Sequence, residues 1–248
     1  MAQIALVKLG GSLITDKTKP FSFRGDVVLA LGKEIAASHQ RAILVHGGGS
    51  FGHPLAKQYR LSSGAYSRVG RGVSETRDAM YELDQLVSRA LRSAGVETYP
   101  FAPFDLLRNS GVRYARAWLT KLLRAGLSPL TFGDVSSCES GFRILSGDTI
   151  MYELAKILRP ARCIFAMDVD GVYGGRGGDP LETISRSQLT TLRIRKGEDA
   201  TGGIRTKLDL AAKIASMGAR VGLVSGFRGD EFARALTGKD FYGTVVMR

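Results

Sequence analysis

Short apolar runs alternate with longer amphipathic segments along the whole chain. The runs are IALVKL (4–9), AILVH (42–46), VETYPF (96–101), LSPLTF (127–132), CIFAM (163–167), ARVGLVS (219–225) and GTVVM (243–247). Their β-branched, nearly continuous apolar character predicts strands buried on both faces. Between them, DVVLALGKEIAASH (26–39) reads as a helix with Asp26 as its cap. Residues 73–94 put Val73, Met80, Leu83, Val87 and Leu91 largely on one face of a long helix. Further helices are expected near 115–125, 150–158, 207–218 and 230–236, and VSSCESGFRIL (135–145) reads as a hairpin turning near Glu139 to Gly141. The Ser-, Gly- and Arg-rich stretch 61–72 and GGRGGDP (174–180) read as loops suited to moving. The pattern predicts an α/β protein, a three-layer αβα sandwich on a mostly parallel open sheet. With 248 residues, no linker-like stretch and no internal repeat, a single domain spanning 1–248 is expected.

Composition narrows the class. Hydrophobic residues make up 44% of the chain, and no apolar stretch reaches the roughly 18 residues of a membrane span, so no membrane partner is expected. The opening MAQIALVKLGG runs directly into a strand without a basic leader, which makes the cytoplasm the expected location. Cys138 and Cys163 have neither CxxC spacing nor a histidine cluster beside them, so no zinc site or disulfide framework is expected and both read as packing residues. A formal charge of +12 would attract polyanions. The basic residues are scattered, however, with Arg193, Arg195 and Lys196 the tightest group and no basic helix face interleaved with aromatics, so nucleic acid is not the expected partner.

The chemistry concentrates in glycine. VHGGGSFGHP (45–54) puts four glycines and two histidines into ten positions directly after a strand. Gly47, Gly49 and Gly52 satisfy G-x-G-x-x-G, with Glu75 at a distance that suits a ribose, but a dinucleotide fold normally carries that loop after its first strand. Here the first strand ends in its own bare loop, Lys8-Leu9-Gly10-Gly11-Ser12. Two such loops at successive strand ends form a crevice lined by backbone N–H groups, suited to two facing anions and hence to phosphoryl transfer. A Walker loop is absent, since Lys33 and Lys239 follow glycines without the next Ser or Thr. Arginines outnumber lysines 24 to 11, yet lysines stand beside glycine pairs at Lys8, Lys17 and Lys207. A surface lysine is ordinarily only solvated; a compact ammonium is also the group that can follow a moving phosphoryl.

Taken in order, VKLGGSLITDK (7–17), VHGGGSFGHP (45–54), GDVS (133–136), ILSGDTI (144–150), MDVDGVY (167–173), DATGGIRTK (199–207) and GTVV (243–246) resemble the amino acid kinase superfamily and, within it, the isopentenyl phosphate kinase family. The resemblance spans essentially the whole chain. It implies an N-terminal lobe of about 1–160 that binds a phosphorylated acceptor, a C-terminal lobe of about 161–248 that binds ATP, and a homodimer. By motif, it assigns Lys8, Gly10, Gly11, Ser12 and Gly49 to the donor side and Lys17 to the moving phosphoryl group. Gly48, Gly52, His53 and Gly147 fall to the acceptor phosphate. Asp148 would orient the lysines, while Asp168, Val169, Asp170, Gly171, Val172 and Tyr173 would border the nucleotide and Gly203 and Lys207 close over its phosphates. The implied catalytic set is thus Lys8, Lys17, His53, Asp148 and Lys207. Two departures stand out: Met167 where the superfamily often has threonine, and Thr149 where many close relatives have a second aspartate.

A histidine after GGGSFG resembles the members that phosphorylate a phosphate or phosphonate, and an imidazole N–H can donate to such an oxygen. His46 reads instead as a backbone-satisfying or second-layer group and His39 as surface. A phosphate monoester is largely a dianion at neutral pH, so no general base is needed. The expected reaction is transfer of the γ-phosphoryl of ATP to isopentenyl phosphate, with Mg²⁺ arriving on ATP and no protein metal site. Val73, Met80, Leu83, Phe101, Phe104 and Phe132 are candidates for the slot taking a prenyl tail, and equally good core. A fosfomycin-type phosphonate kinase, a non-catalytic nucleotide sensor on the same scaffold and a basic nucleic-acid binder remain the alternatives at this point.

Overall fold

The computed structural model describes residues 4–61, 69–103, 111–139, 141–174, 178–191 and 203–248. Among the described residues, ten strands alternate with helices. The strands are β1 (Ile4–Leu9), β2 (Arg41–His46), β3 (Thr98–Pro100), β4 (Ser128–Phe132), β5 (Asp134–Cys138), β6 (Gly141–Leu145), β7 (Arg162–Met167), β8 (Thr183–Ile184), β9 (Arg220–Ser225) and β10 (Gly243–Val246). The helices among the described residues are α1 (Gly11–Ile14), α2 (Gly25–Ser38), α3 (Gly49–Gln58), α4 (Gly70–Ser93), α5 (Val112–Arg124), α6 (Gly147–Leu158), α7 (Arg186–Thr191), α8 (Gly203–Ala215) and α9 (Glu231–Thr237). Eight strands form one sheet in the order β3-β4-β2-β1-β7-β9-β10-β8, parallel throughout except where β10 runs against β9. β5 and β6 pair separately as the antiparallel hairpin the sequence predicts.

The three layers follow from the period of two along each buried strand. In β1, Leu6 enters one core while Ala5, Val7 and Leu9 enter the other; in β7, Cys163, Phe165 and Met167 oppose Ile164 and Ala166. The first core is closed by Leu119 of α5, Leu154 of α6 and Leu208 of α8. The second is closed by Leu31 of α2, Leu83 and Val87 of α4, and Phe232 of α9. Both faces of the sheet are therefore apolar because both carry helices, which is why the strand sequences look continuous rather than alternating.

Local departures have local causes. Asp26 is not the cap of α2; Arg24 holds that position, and Asp26 lies in the first turn, where a carboxylate still favours the helix dipole. α4 begins at Gly70, so residues 70–72 of the expected loop are helical, with Gly72 packed so tightly on Tyr59 that a side chain there would overlap the ring. Residues 62–68, 175–177, Phe104 and the cluster Arg193, Arg195 and Lys196 lie outside the described residues. Cys138 and Cys163 form no disulfide, and burial pushes the Cys163 thiol up, which keeps it protonated and inert.

Register places the site. Leu9 lies opposite His46 and Ala166, and His46 lies opposite Phe132. The carboxyl ends of β1, β2, β4 and β7 therefore form one level row, and every loop leaving them opens on the same edge. β2 and β4 lie to one side of β1 while β7 lies to the other, which makes this edge a switch point of the kind where α/β sheets bind ligands.

Candidate active site

The glycines of the two loops are required by contact with each other. A Cβ at Gly11 would overlap the Gly49 backbone nitrogen, and one at Gly47 would lie 2.7 Å from the Gly11 nitrogen. The turns after β1 and β2 thus pack backbone against backbone. Gly49 has φ +47°, and a side chain there would also overlap Thr15. Thr15 seals the junction by donating to Gly11 O at 2.6 Å and accepting the Ser50 N–H at 2.9 Å. The loop that carries Lys17 is held in turn: Asp16 N–H reaches Ser22 O at 2.9 Å, and Ser22 N–H reaches Ser50 Oγ at 3.1 Å.

These loops wall a cavity of about 790 Å³ at the carboxyl edge of the sheet. Lys8, Gly10, Gly11, Ser12, Lys17, Gly48, Gly52, His53, Gly147, Asp148, Asp168, Val169, Gly171, Val172, Tyr173 and Lys207 all line it. Residues that sequence reasoning drew from five separate segments therefore meet in one space. Gly49, Asp170 and Gly203 are not among its lining residues: Gly49 is spent on the loop contact, and Asp170 faces Arg228 at 3.6 Å and accepts from Tyr173 Oη at 3.2 Å. Glu75 is also elsewhere, accepting from Tyr59 Oη at 2.7 Å and Arg71 Nε at 2.6 Å, so the ribose reading of the glycine pattern finds no carboxylate in place.

At the centre of the cavity one carboxylate holds two ammonium groups. Asp148 stands in the first turn of α6, whose cap Ser146 accepts the Thr149 N–H at 3.1 Å. Its Oδ1 is 2.5 Å from Lys8 Nζ and 3.1 Å from Lys207 Nζ. Lys8 reaches it across Gly147, where a Cβ would come within 3.1 Å of Lys8 Cε. Burial works to raise the Asp148 carboxyl, but the Lys8 and Lys207 ammonium groups override it and hold the acid at about 2. Burial is also the larger influence on Lys8; with help from the Lys207 charge it outweighs the attraction of Asp148 and brings Lys8 down to about 8. The triad carries one net positive charge with two ammonium groups already desolvated, an arrangement that gains from an arriving polyanion.

The cavity has chemically distinct ends. Met167 to Val169, Gly171 to Tyr173 and Ile204 form one side, and the glycine turn with His53 forms another. Beside the latter, where a Cβ at Gly52 would overlap Met80 Sδ, the lining forms an apolar recess: Ala56, Val135 and Ile144 belong to one hydrophobic cluster, and Met80, Leu145 and Thr76 line the cavity with them. Of the described residues proposed from sequence for an apolar slot, only Met80 lines the cavity. Leu83 and Phe132 are sealed in the core, Val73 packs against the Leu61 cluster, and Phe101 packs on Trp118. Sequence reasoning missed Ala56, Thr76, Asp134 and Ile144 as wall residues. The hairpin pattern does not reveal its docking partner: Asp134 faces Arg77 of α4 at 3.3 Å, and this pair fixes the hairpin against the long helix. His39 ends α2 at the surface, as expected.

Comparison with known proteins agrees with this geometry. The chain is 32% identical over 246 residues to the isopentenyl phosphate kinase of Thermoplasma acidophilum, covering 97% of this chain and 99% of that one. It is 29% identical over 228 residues to the isopentenyl phosphate kinase of Methanocaldococcus jannaschii, covering 85% and 87%. A crystal structure of the T. acidophilum enzyme in a product complex superposes with a TM-score of 0.81 at 30% identity, covering 98% of this chain and 99% of that one. Residues 3–225 match the model of the Amino acid kinase family, and the chain belongs to that family.

Proposed function

We propose that the protein transfers the γ-phosphoryl group of ATP to the phosphate of isopentenyl phosphate, yielding isopentenyl diphosphate and ADP. The observation that carries this reading is the cavity itself, in which a lysine-lined anion site adjoins an apolar recess beside the glycine turn and His53. In the proposed division, the C-terminal lobe presents Asp168 to Tyr173 and Lys207 to the nucleotide, and the N-terminal lobe presents Gly48, Gly52, His53 and Gly147 to the acceptor. The recess of Ala56, Met80, Val135, Ile144 and Leu145 suits a short branched hydrocarbon and favours a prenyl phosphate over a small polar phosphonate.

The chemistry needs no general base. A phosphate oxygen of the acceptor, already ionised, attacks the γ-phosphorus; the bond from that phosphorus to the β,γ-bridging oxygen breaks, and ADP leaves with the electron pair. Repulsion between the anions is the obstacle, and buried ammonium groups with fixed N–H donors reduce it most where water is excluded. Asp148 aligns Lys8 and Lys207 and compensates their charge before substrate arrives. Lys17, on the edge of the cavity, follows the phosphoryl group as it moves. Magnesium would enter on the nucleotide: Asp148 is engaged by two ammonium groups and is not a spare ligand, which suits an ion held by phosphate oxygens and water. When bound, Mg²⁺ neutralises charge on the phosphates.

None of the described helices is long and apolar enough to cross a membrane, and a cytoplasmic homodimer is the proposed working form. A coupled ADP-release assay with Mg-ATP tests the proposal by comparing isopentenyl phosphate, fosfomycin and no acceptor. Rapid release with isopentenyl phosphate alone is expected. Equal rates with and without it would refute the activity, and preference for fosfomycin would move the assignment to a phosphonate kinase.

A further inference from the structure

His46 takes no part in the mechanism above, yet it is fully buried directly beneath the glycine turn. Both of its ring nitrogens face oxygen atoms. Nδ1 is 3.1 Å from Gly47 O and Nε2 is 3.2 Å from Asp84 Oδ1. A carbonyl can only accept, and so can a carboxylate. A neutral imidazole has one N–H and one lone pair, so it would turn a lone pair against one of these oxygens. The arrangement balances only with one further proton on the pair. Nε2 is directed at Asp84 Oδ1, whose lone pairs accept, and the geometry assigns that proton to the ring. Phe132 stacks on the ring at 5.5 Å and 26°, an aromatic face presented to a cation. Among the described residues, Asp84 is the charged side chain in contact with the ring. The Lys8 and Asp148 pair lies beyond Gly147, on the side of the His46 carbonyl.

The bond to Gly47 O has a directional consequence. In a trans peptide the C=O and N–H point in opposite directions, so holding the Gly47 carbonyl turns the Gly48 N–H away from the ring. That N–H meets no acceptor among the described residues, and Gly48 lines the cavity. We propose that Asp84 holds His46 as an imidazolium and that this ring is a positioning residue, fixing the Gly47–Gly48 peptide so that the Gly48 N–H is presented to the acceptor phosphate. The last step rests on the kinase reading given above; the protonation of His46 does not.

Two readouts test it separately. In ¹⁵N-histidine-labelled protein at pH 7.5, with His46 assigned by its loss in His46→Phe, both ring nitrogens are expected to give protonated-type signals. Asp84→Asn should convert Nε2 to an unprotonated nitrogen while Nδ1 stays protonated, because the new amide can donate where the carboxylate could only accept. An unprotonated nitrogen on His46 in the wild type would overturn the proposal whatever the enzyme's substrate. In kinetics, His46→Phe should raise KM for the acceptor by about tenfold, the loss of one buried hydrogen bond, with KM for ATP little changed. Asp84→Asn, which keeps the bond to Gly47, should raise the acceptor KM less. An acceptor KM unmoved in a folded His46→Phe would also overturn the proposal. Absence of turnover in the wild type would instead refute the kinase reading and leave the spectroscopic result to decide the protonation.

Discussion

Asp148→Asn isolates the central electrostatic element. The side chain is nearly isosteric, but the negative charge that compensates two buried ammonium groups disappears. Lys8 is 7% exposed at its side chain and Lys207 17%, so neither charge is well solvated. Breaking one side of a buried ion pair typically costs about 3–5 kcal/mol, because the remaining charge stays desolvated. For a chain of this size, each kcal/mol moves the melting temperature by about 2–4 °C, so the unliganded variant should melt about 6–20 °C lower than the wild type. Mg-ATP, whose phosphates supply the missing negative charge, should then raise the variant's melting temperature by more than it raises that of the wild type. Differential scanning calorimetry with and without nucleotide measures both quantities. A variant that melts with the wild type, or one that gains no more than the wild type from Mg-ATP, would refute the claim that Asp148 compensates these two charges.

Other outcomes follow from the same geometry. Lys8, brought down to about 8, should lose its charge as pH rises through that value, so affinity for ADP measured by calorimetry should fall above about pH 8 and binding there should take up a proton; Lys8→Arg should abolish that uptake. Because the unfolded chain keeps this proton up to its ordinary pKa, the contribution of Lys8 to stability rises with pH between the two values, whereas that of Asp148, held at about 2, is present above the ordinary carboxylate range and is lost as pH falls towards 2; chemical denaturation across pH should show both slopes. Gly11→Ala should destabilise the fold by about 1–3 kcal/mol or more in urea titration, since its Cβ has only the Gly49 backbone to displace. Met80→Ala should enlarge the recess and raise kcat/KM for a ten-carbon prenyl phosphate relative to isopentenyl phosphate; an unchanged ratio would remove Met80 from the tail site.

The fold was legible because burial on both faces leaves a simple signature: apolar β-branched runs such as CIFAM, separated by amphipathic helices. The anion site was legible for a related reason. Backbone-to-backbone packing at Gly11, Gly47 and Gly49 admits no side chain, so the constraint appears directly as glycine. The recess was not legible, because Met80 and Leu83 occupy the same helical stripe and differ only in what they face, a matter of how α4 sits against the hairpin. One signal was available and unused. Asp84 interrupts the apolar stripe of α4 between Leu83 and Val87, and a carboxylate on a buried face requires a partner, which proves to be His46.

The most direct test of the account is the position of both substrates in one crystal, grown with a non-hydrolysable ATP analogue, Mg²⁺ and isopentenyl phosphate. The triphosphate should lie against Lys8, Gly10 to Ser12 and Lys207, with the acceptor phosphate at Gly48, Gly52 and His53 and its hydrocarbon against Met80 and Ile144. A triphosphate bound away from Lys8 and Lys207, or an acceptor phosphate lodged beside Asp168 to Tyr173, would contradict it.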